Sequence, residues 1–186
     1  MIYPVVAYGD PVLKKIASDI EKDYPSFQQL IDDMFETMYK SAGVGLAAPQ
    51  IGLSIRLFVV DASPYDDEDE SLAGFKKVFI NARILEESGD PWKMNEGCLS
   101  IPRIREDVSR NETIVIEYYD EQWNKKVETY SGLAARIIQH EYDHIEGVLI
   151  TDRISPLRKR LIQKRLDDIS KGKINVEYKM RFPIKK

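Results

Sequence analysis

Cysteine and histidine are scarce in this sequence: one cysteine and two histidines stand among 186 residues. A single cysteine excludes an internal disulfide and fits a reducing compartment, so a cytoplasmic protein is expected. No apolar run approaches the roughly 20 residues that cross a bilayer as a helix. Met1-Ile2-Tyr3-Pro4 has neither the basic lead nor the apolar core of a signal peptide, so no membrane partner is expected. The Gly-Lys-Ser/Thr sequence of a phosphate loop is missing after Gly43 and Gly45, which leaves those glycines to turn chemistry. Charge, by contrast, is plentiful and uneven. Residues 153–186 hold 12 Lys/Arg against 3 Asp/Glu, a balance of +9, while residues 1–152 hold 15 against 28, a balance of −13. A basic segment on an acidic body suits an anionic partner surface. No nucleic-acid module accompanies it, so sequence-specific nucleic-acid binding is not expected.

The two histidines are not scattered. Gln139-His140-Glu141-Tyr142-Asp143-His144 is a His-Glu-x-x-His pattern. Four residues advance a helix slightly more than one turn, so both imidazoles leave the same face and can grip one cation. Glu141, beside the first ligand, can take a proton from a water that the cation acidifies. A catalytic metal usually has three protein ligands and an open position. The metzincin continuation fails, because Ile150 stands where a third histidine is needed, and Gly147 reads instead as a residue ending the helix. Cys98, in Asn95-Glu96-Gly97-Cys98-Leu99-Ser100, would complete a Cys/His/His site for a soft first-row ion. The alternatives are a zinc endopeptidase completed by Asp152 or a later acid, and a non-enzymatic metal-binding protein that keeps the site only for stability.

At these residues the chain resembles the peptide deformylase family. Three motifs occur in the family's order: Gly43-Val44-Gly45-Leu46-Ala47-Ala48-Pro49-Gln50, then Glu96-Gly97-Cys98-Leu99-Ser100, then Gln139 to His144. The opening Tyr8-Gly9-Asp10-Pro11-Val12-Leu13 is similar too, and the likeness spans roughly residues 1 to 165. The resemblance implies a metal-dependent hydrolase that removes the formyl group from N-terminal formylmethionine of nascent polypeptides. It implies Cys98, His140 and His144 as ligands of a divalent ion, with Fe(II) favoured and Zn, Ni or Co compatible. It assigns Glu141 to proton transfer, and the Gln50 side chain and Leu99 backbone N–H to the developing oxyanion. Val44, Gly45, Leu133 and Ile137 become the substrate pocket. Asp143 is expected to pair with Arg110 behind the ligands. For the basic segment, the implied polyanion is the ribosome.

Three features depart from the family pattern: Arg103 where many members have glycine, an acidic insertion at 61–73, and the segment after residue 173. Arg136 is a further oddity, at a position by the pocket that is often apolar. The acidic run Asp66 to Glu70 reads as an exposed loop. No motif residue lies beyond His144, so the last segment is expected to be separable from the chemistry.

The remaining pattern gives one α+β domain over residues 1–186, with antiparallel or mixed sheets around the His-Glu-x-x-His helix and residues 153–186 as a basic helix/strand extension. Asp10-Pro11 opens a short helix through Ala17. Phe27, Leu30, Ile31, Met34, Phe35 and Met38 predict an amphipathic helix over 26–41. Strands are expected at 55–60 and 77–81, and a hairpin of 113–119 with 126–130. Ser131 should cap the metal helix, Ser155-Pro156 should open a last helix to about Ser170, and 173–182 should add an edge strand.

Overall fold

The computed structural model describes residues 1–183; residues 184–186, the end of the basic segment, lie outside the described residues. After a short first strand, Val5–Val6 (β1), comes a single 3-10 turn, Pro11–Lys14, with the Asp10 carboxylate accepting the Val12 N–H at 3.0 Å. This turn is shorter than the helix expected through Ala17. The Ala17 N–H donates instead to the carbonyl of Ile145 at 2.8 Å, which draws the chain out of the helix and onto its neighbours. The expected amphipathic helix is present as Phe27–Lys40 (α1), burying Leu30, Ile31, Met34, Phe35 and Met38.

Five antiparallel strands follow in an order that matches their order in the chain: Gly45–Ala47 (β2), Leu57–Asp61 (β3), Lys76–Cys98 (β4), Ile101–Tyr119 (β5) and Lys125–Ser131 (β6). The expected hairpin of β5 with β6 is there, pairing Thr113 with Ser131 through to Tyr119 with Lys125. β4 and β5 run far beyond the expected segments. Their ladder absorbs Gly89, Pro91 and Gly97 by shifting register after Ile80, Ile84, Ser88 and Gly97, so residues that would break a regular strand sit at irregularities. Between β3 and β4 the acidic insertion is exposed at Asp66, Asp67 and Glu68, yet both its ends are anchored, with Asp61 and Leu72 buried.

Against this sheet packs the second helix, Gly132–Ile145 (α2). Ala135, Ile138 and Ile145 join Phe58, Phe79, Ile114 and Ile116 in one core cluster, which fixes the helix's rotation. Ser131 occupies the N-cap position, but its side chain does not cap: its hydroxyl pairs with Thr113 Oγ1 across the sheet at 2.9 Å. The C-terminal stop is as expected. Gly147 takes φ 71°, the Val148 N–H donates to the Asp143 carbonyl at 2.9 Å, and a Cβ on Gly147 would lie 2.7 Å from the Lys14 carbonyl oxygen.

The last helix, Pro156–Ser170 (α3), opens with Ser155 Oγ accepting the Arg158 N–H and buries Ile162, Leu166 and Ile169 against Leu13, Ile104 and Val108. The expected edge strand shortens to Met180–Arg181 (β7). It does not extend the main sheet but pairs in parallel with β1, Val5 opposite Met180. Among the described residues no helix is long and apolar enough to cross a membrane. The architecture is α+β, with a sheet wrapped on a central helix and a C-terminal helix beyond it.

Candidate metal centre

Two elements converge on one point. α2 presents both histidine rings from adjacent turns, their centroids 5.1 Å apart. Opposite it, β4 turns into β5 so tightly that Cys98 pairs with Ile101, and the cysteine is carried at the tip of the turn. Cys98 Sγ lies 3.4 Å from His144 Nε2, and the donor atoms of Cys98, His140 and His144 all lie within 4.8 Å of one another. A tetrahedral centre with bonds of about 2.0–2.3 Å needs donors roughly 3.3–3.8 Å apart, so this cluster fits a first-row ion with modest adjustment. His144 is buried, and burial together with the neighbouring His140 holds it well below the ordinary imidazole range. A neutral ring is the form that ligates.

His140 is oriented from behind. Its Nδ1 lies 3.0 Å from Glu96 Oε2, which leaves Nε2 for the centre. Glu96 also accepts from Arg110 at 2.7 and 2.9 Å and from Arg136 at 2.8 Å. Burial alone would raise this carboxyl, but the Arg110 and His140 bonds hold it well below the usual carboxylate range. Arg110 continues to Asp143 at 2.8 Å, the pairing expected from sequence, and Arg153 reaches the same carboxylate at 2.5 Å. Asp143 therefore acts on His140 through Arg110 and Glu96. Arg136 is not anomalous here: it donates to Glu96 and to the carbonyls of Val108 and Trp92, and it stacks 4.3 Å from the Trp92 ring centre.

Glu141 is buried with Oε2 free of any partner, and burial pushes its carboxyl up to about 7. The space it occupies depends on Gly45, where a Cβ would come within 2.7 Å of the Glu141 Cδ. Gln50 is buried in a 3-10 turn, Ala48–Ile51, with Oε1 accepting the Ala47 N–H at 2.9 Å. That bond aims its amide nitrogen toward Cys98 Sγ, 3.7 Å away, and Ser100 Oγ, 3.4 Å away. Leu99, next in the turn, has its carbonyl held by Tyr178 Oη at 2.7 Å.

Beside the cluster lies a cavity of about 600 Å³. Gln50, Cys98, Leu99, His140 and Glu141 line it, and so do Val44, Gly45, Leu133 and Ile137. The structure thus brings together every site residue expected from sequence. Asp152 is elsewhere, bonded to Lys14 at 2.5 Å and to the Leu149 N–H, and does not join the metal-binding cluster. Sequence reasoning missed the Glu96 acceptor, although it lies in the second motif. It also missed Tyr65, which the acidic insertion contributes to the cavity wall, and Val176, Glu177 and Tyr178 from the last segment. That segment is not separable from the site.

The comparisons agree with this geometry. The family model described as polypeptide deformylase matches residues 2–160. A peptide deformylase of Christiangramia forsetii is 61% identical over 190 residues, covering 98% of this chain and 97% of its own. One from Cytophaga hutchinsonii is 54% identical over the full length of both chains. Among solved structures, a peptide deformylase from Legionella pneumophila superposes with a TM-score of 0.80 at 38% identity, covering 93% of this chain and 98% of that one. One from Plasmodium falciparum gives 0.80 at 33% identity, covering 90% and 95%. With the fold, the three motifs and near full-length likeness in agreement, the chain belongs to the polypeptide deformylase family.

Proposed function

We propose that this protein removes the formyl group from N-terminal formylmethionine of newly made polypeptides and releases formate. One observation carries the reading: Cys98, His140 and His144 converge beside a buried Glu141 and a Gln50 amide, all on one cavity, in a chain of this family. Cys98, His140 and His144 would hold a divalent ion, Fe(II) by preference, with Zn, Ni or Co fitting the same thiolate and imidazoles. When bound, such an ion acidifies water and polarises a carbonyl oxygen. Glu141 takes the proton of the attacking water and returns it to the departing amine nitrogen. The Gln50 amide and the Leu99 N–H donate to the formyl oxygen as negative charge builds there. Val44, Leu133 and Ile137 offer an apolar wall to the methionine side chain. Gly45 keeps the room that the Glu141 carboxylate needs.

Residues 1–186 act as one catalytic domain whose 153–186 portion also meets ribosomal RNA, and the single free thiol suits a cytoplasmic site of action. The test is formate release from a formyl-Met peptide by protein loaded anaerobically with Fe(II) and, in parallel, with Zn. Turnover with at least one ion supports the reading. No formate with either ion rejects it.

A further inference from the structure

The turn that carries Cys98 is held by parts of the chain far from any of the three motifs. Tyr178 Oη donates to the Leu99 carbonyl at 2.7 Å, and the Tyr8 N–H donates to the next carbonyl, Ser100, at 2.9 Å. Both residues hang from the small parallel sheet. The Val5 N–H donates to the Lys179 carbonyl at 2.8 Å and the Ala7 N–H to the Arg181 carbonyl at 2.9 Å, so Tyr178 enters the site just before a strand pinned to β1 at both ends. Arg181 then covers Gly52, where a Cβ would lie 2.6 Å from a guanidinium nitrogen, directly after the turn that presents Gln50. The last segment therefore touches the supports of both expected oxyanion donors.

We propose that Tyr178 is a positioning residue for the hydrolysis: by fixing the Leu99 carbonyl it sets the Leu99 backbone, and with it the direction of the Leu99 N–H. The peptide on one side of the Leu99 Cα is clamped by the tyrosine, which limits rotation of the peptide on the other side, where the donor sits. An oxyanion donor contributes only when it is already aimed at the oxygen that becomes charged. A freely turning peptide would have to be ordered during the reaction, and that cost falls on the rate rather than on ground-state binding. Tyr178 is half-buried in the cavity wall, and burial pushes its phenol up, so it remains a donor throughout the working range.

This inference rests on the deformylase reading, and its test separates the two. Wild-type zinc- or iron-loaded protein is assayed first with a formyl-Met peptide; a protein that releases no formate rejects the deformylase reading. Tyr178→Phe keeps the ring and removes the bond. Its expected effect is a fall in kcat on the order of ten-fold, below the roughly 10²–10³ caused by outright loss of an oxyanion donor. KM and bound metal should stay near wild type. In zinc-loaded protein the Leu99 amide NMR resonance should shift and exchange faster. Replacement of Tyr178 by 4-aminophenylalanine, which restores an N–H donor, should recover most of kcat. A kcat within two-fold of wild type overturns the proposal whatever the amide does, and so does an unmoved Leu99 resonance. If the phenylalanine variant fails to fold, 4-aminophenylalanine and 3,5-difluorotyrosine still offer donors of different strength on the same ring. A kcat that ignores donor strength then overturns it.

Discussion

α2 and α3 are nearly the same length, 14 and 15 residues, and both follow a serine. Their interiors are opposites. α2 buries Arg136, Gln139, Glu141, Asp143 and His144 beside its alanines and isoleucines, whereas α3 buries only Ile162, Leu166 and Ile169 and leaves Leu157 and Leu161 in solvent. A helix built for stability alone would not desolvate so many polar groups, since each one costs free energy unless it is paired. The contrast shows where the fold spends stability to hold chemistry: on α2 Arg136 and Asp143 sit in buried ion pairs, while Glu141, in the cavity wall, keeps an unpartnered oxygen.

The comparison can be broken most severely at the metal cluster. Cys98→Ala should abolish tightly bound metal and formate release together, read by metal analysis and assay. Retention of both would return the endopeptidase alternative. Glu141→Ala should lower kcat by about 10²–10⁴ while metal stoichiometry stays near wild type, because proton transfer is lost and no ligand is removed. Behind the candidate ligands, Arg110→Ala removes the buried cation that Glu96 and Asp143 share, leaving Glu96 only Arg136 and His140 and Asp143 only Arg153. A loss of about 3–5 kcal/mol in denaturant unfolding is expected. On α3 the largest effect lies in its buried stripe: Ile162→Ala should cost roughly 2–4 kcal/mol and leave kcat unchanged. The outer face is the smallest case. Leu161→Gln should change stability by no more than about 0.5 kcal/mol. Arg160→Gln with Lys164→Gln should spare peptide hydrolysis but weaken ribosome association, which for the intact protein should fall steeply with added salt. Arg158 and Lys159 are poorer probes of that contact, because they pair with Glu106 at 2.7 Å and with Asp152 at 3.4 Å.

The same contrast explains what the sequence discloses. α1 and α3 announce themselves by apolar spacing and, for α3, by Ser155-Pro156, because their buried faces are apolar. α2 was legible through its histidines. β4 and β5 were legible only at their far ends. Along residues 104–110 of β5 the buried positions are Ile104, Glu106, Val108 and Arg110, a strict alternation in which every second inward residue is charged. Hydropathy hides that period, since Arg110 is inside to hold Glu96 and Asp143, and Glu106 to receive Arg158. The candidate metal ligands, Glu141 and Gln50 come from local motifs. Glu96 sat unused within one of them, and Tyr178 had no local signal at all, because its role is set by a contact 79 residues away in the chain.

Arg103 shows how a departure from the family pattern is accommodated. It adopts φ 60°, the left-handed conformation that glycine enters freely, and its carbonyl accepts a bond from Arg165 of α3. The side chain bears a backbone cost at a position where glycine would not.

The parallel pairing of Val5 with Met180 has a consequence for how the protein is made. Synthesis runs from the N-terminus, and β1 waits for its partner until the chain has been extended by 175 residues and that partner has cleared the exit tunnel. Closing so long a loop is slow relative to the local folding of the β2–β6 meander. During translation the histidines and Cys98 can meet while the Leu99 turn still lacks its Tyr178 clasp. The candidate ligand cluster can therefore assemble in a chain whose Tyr178 has yet to reach the Leu99 carbonyl.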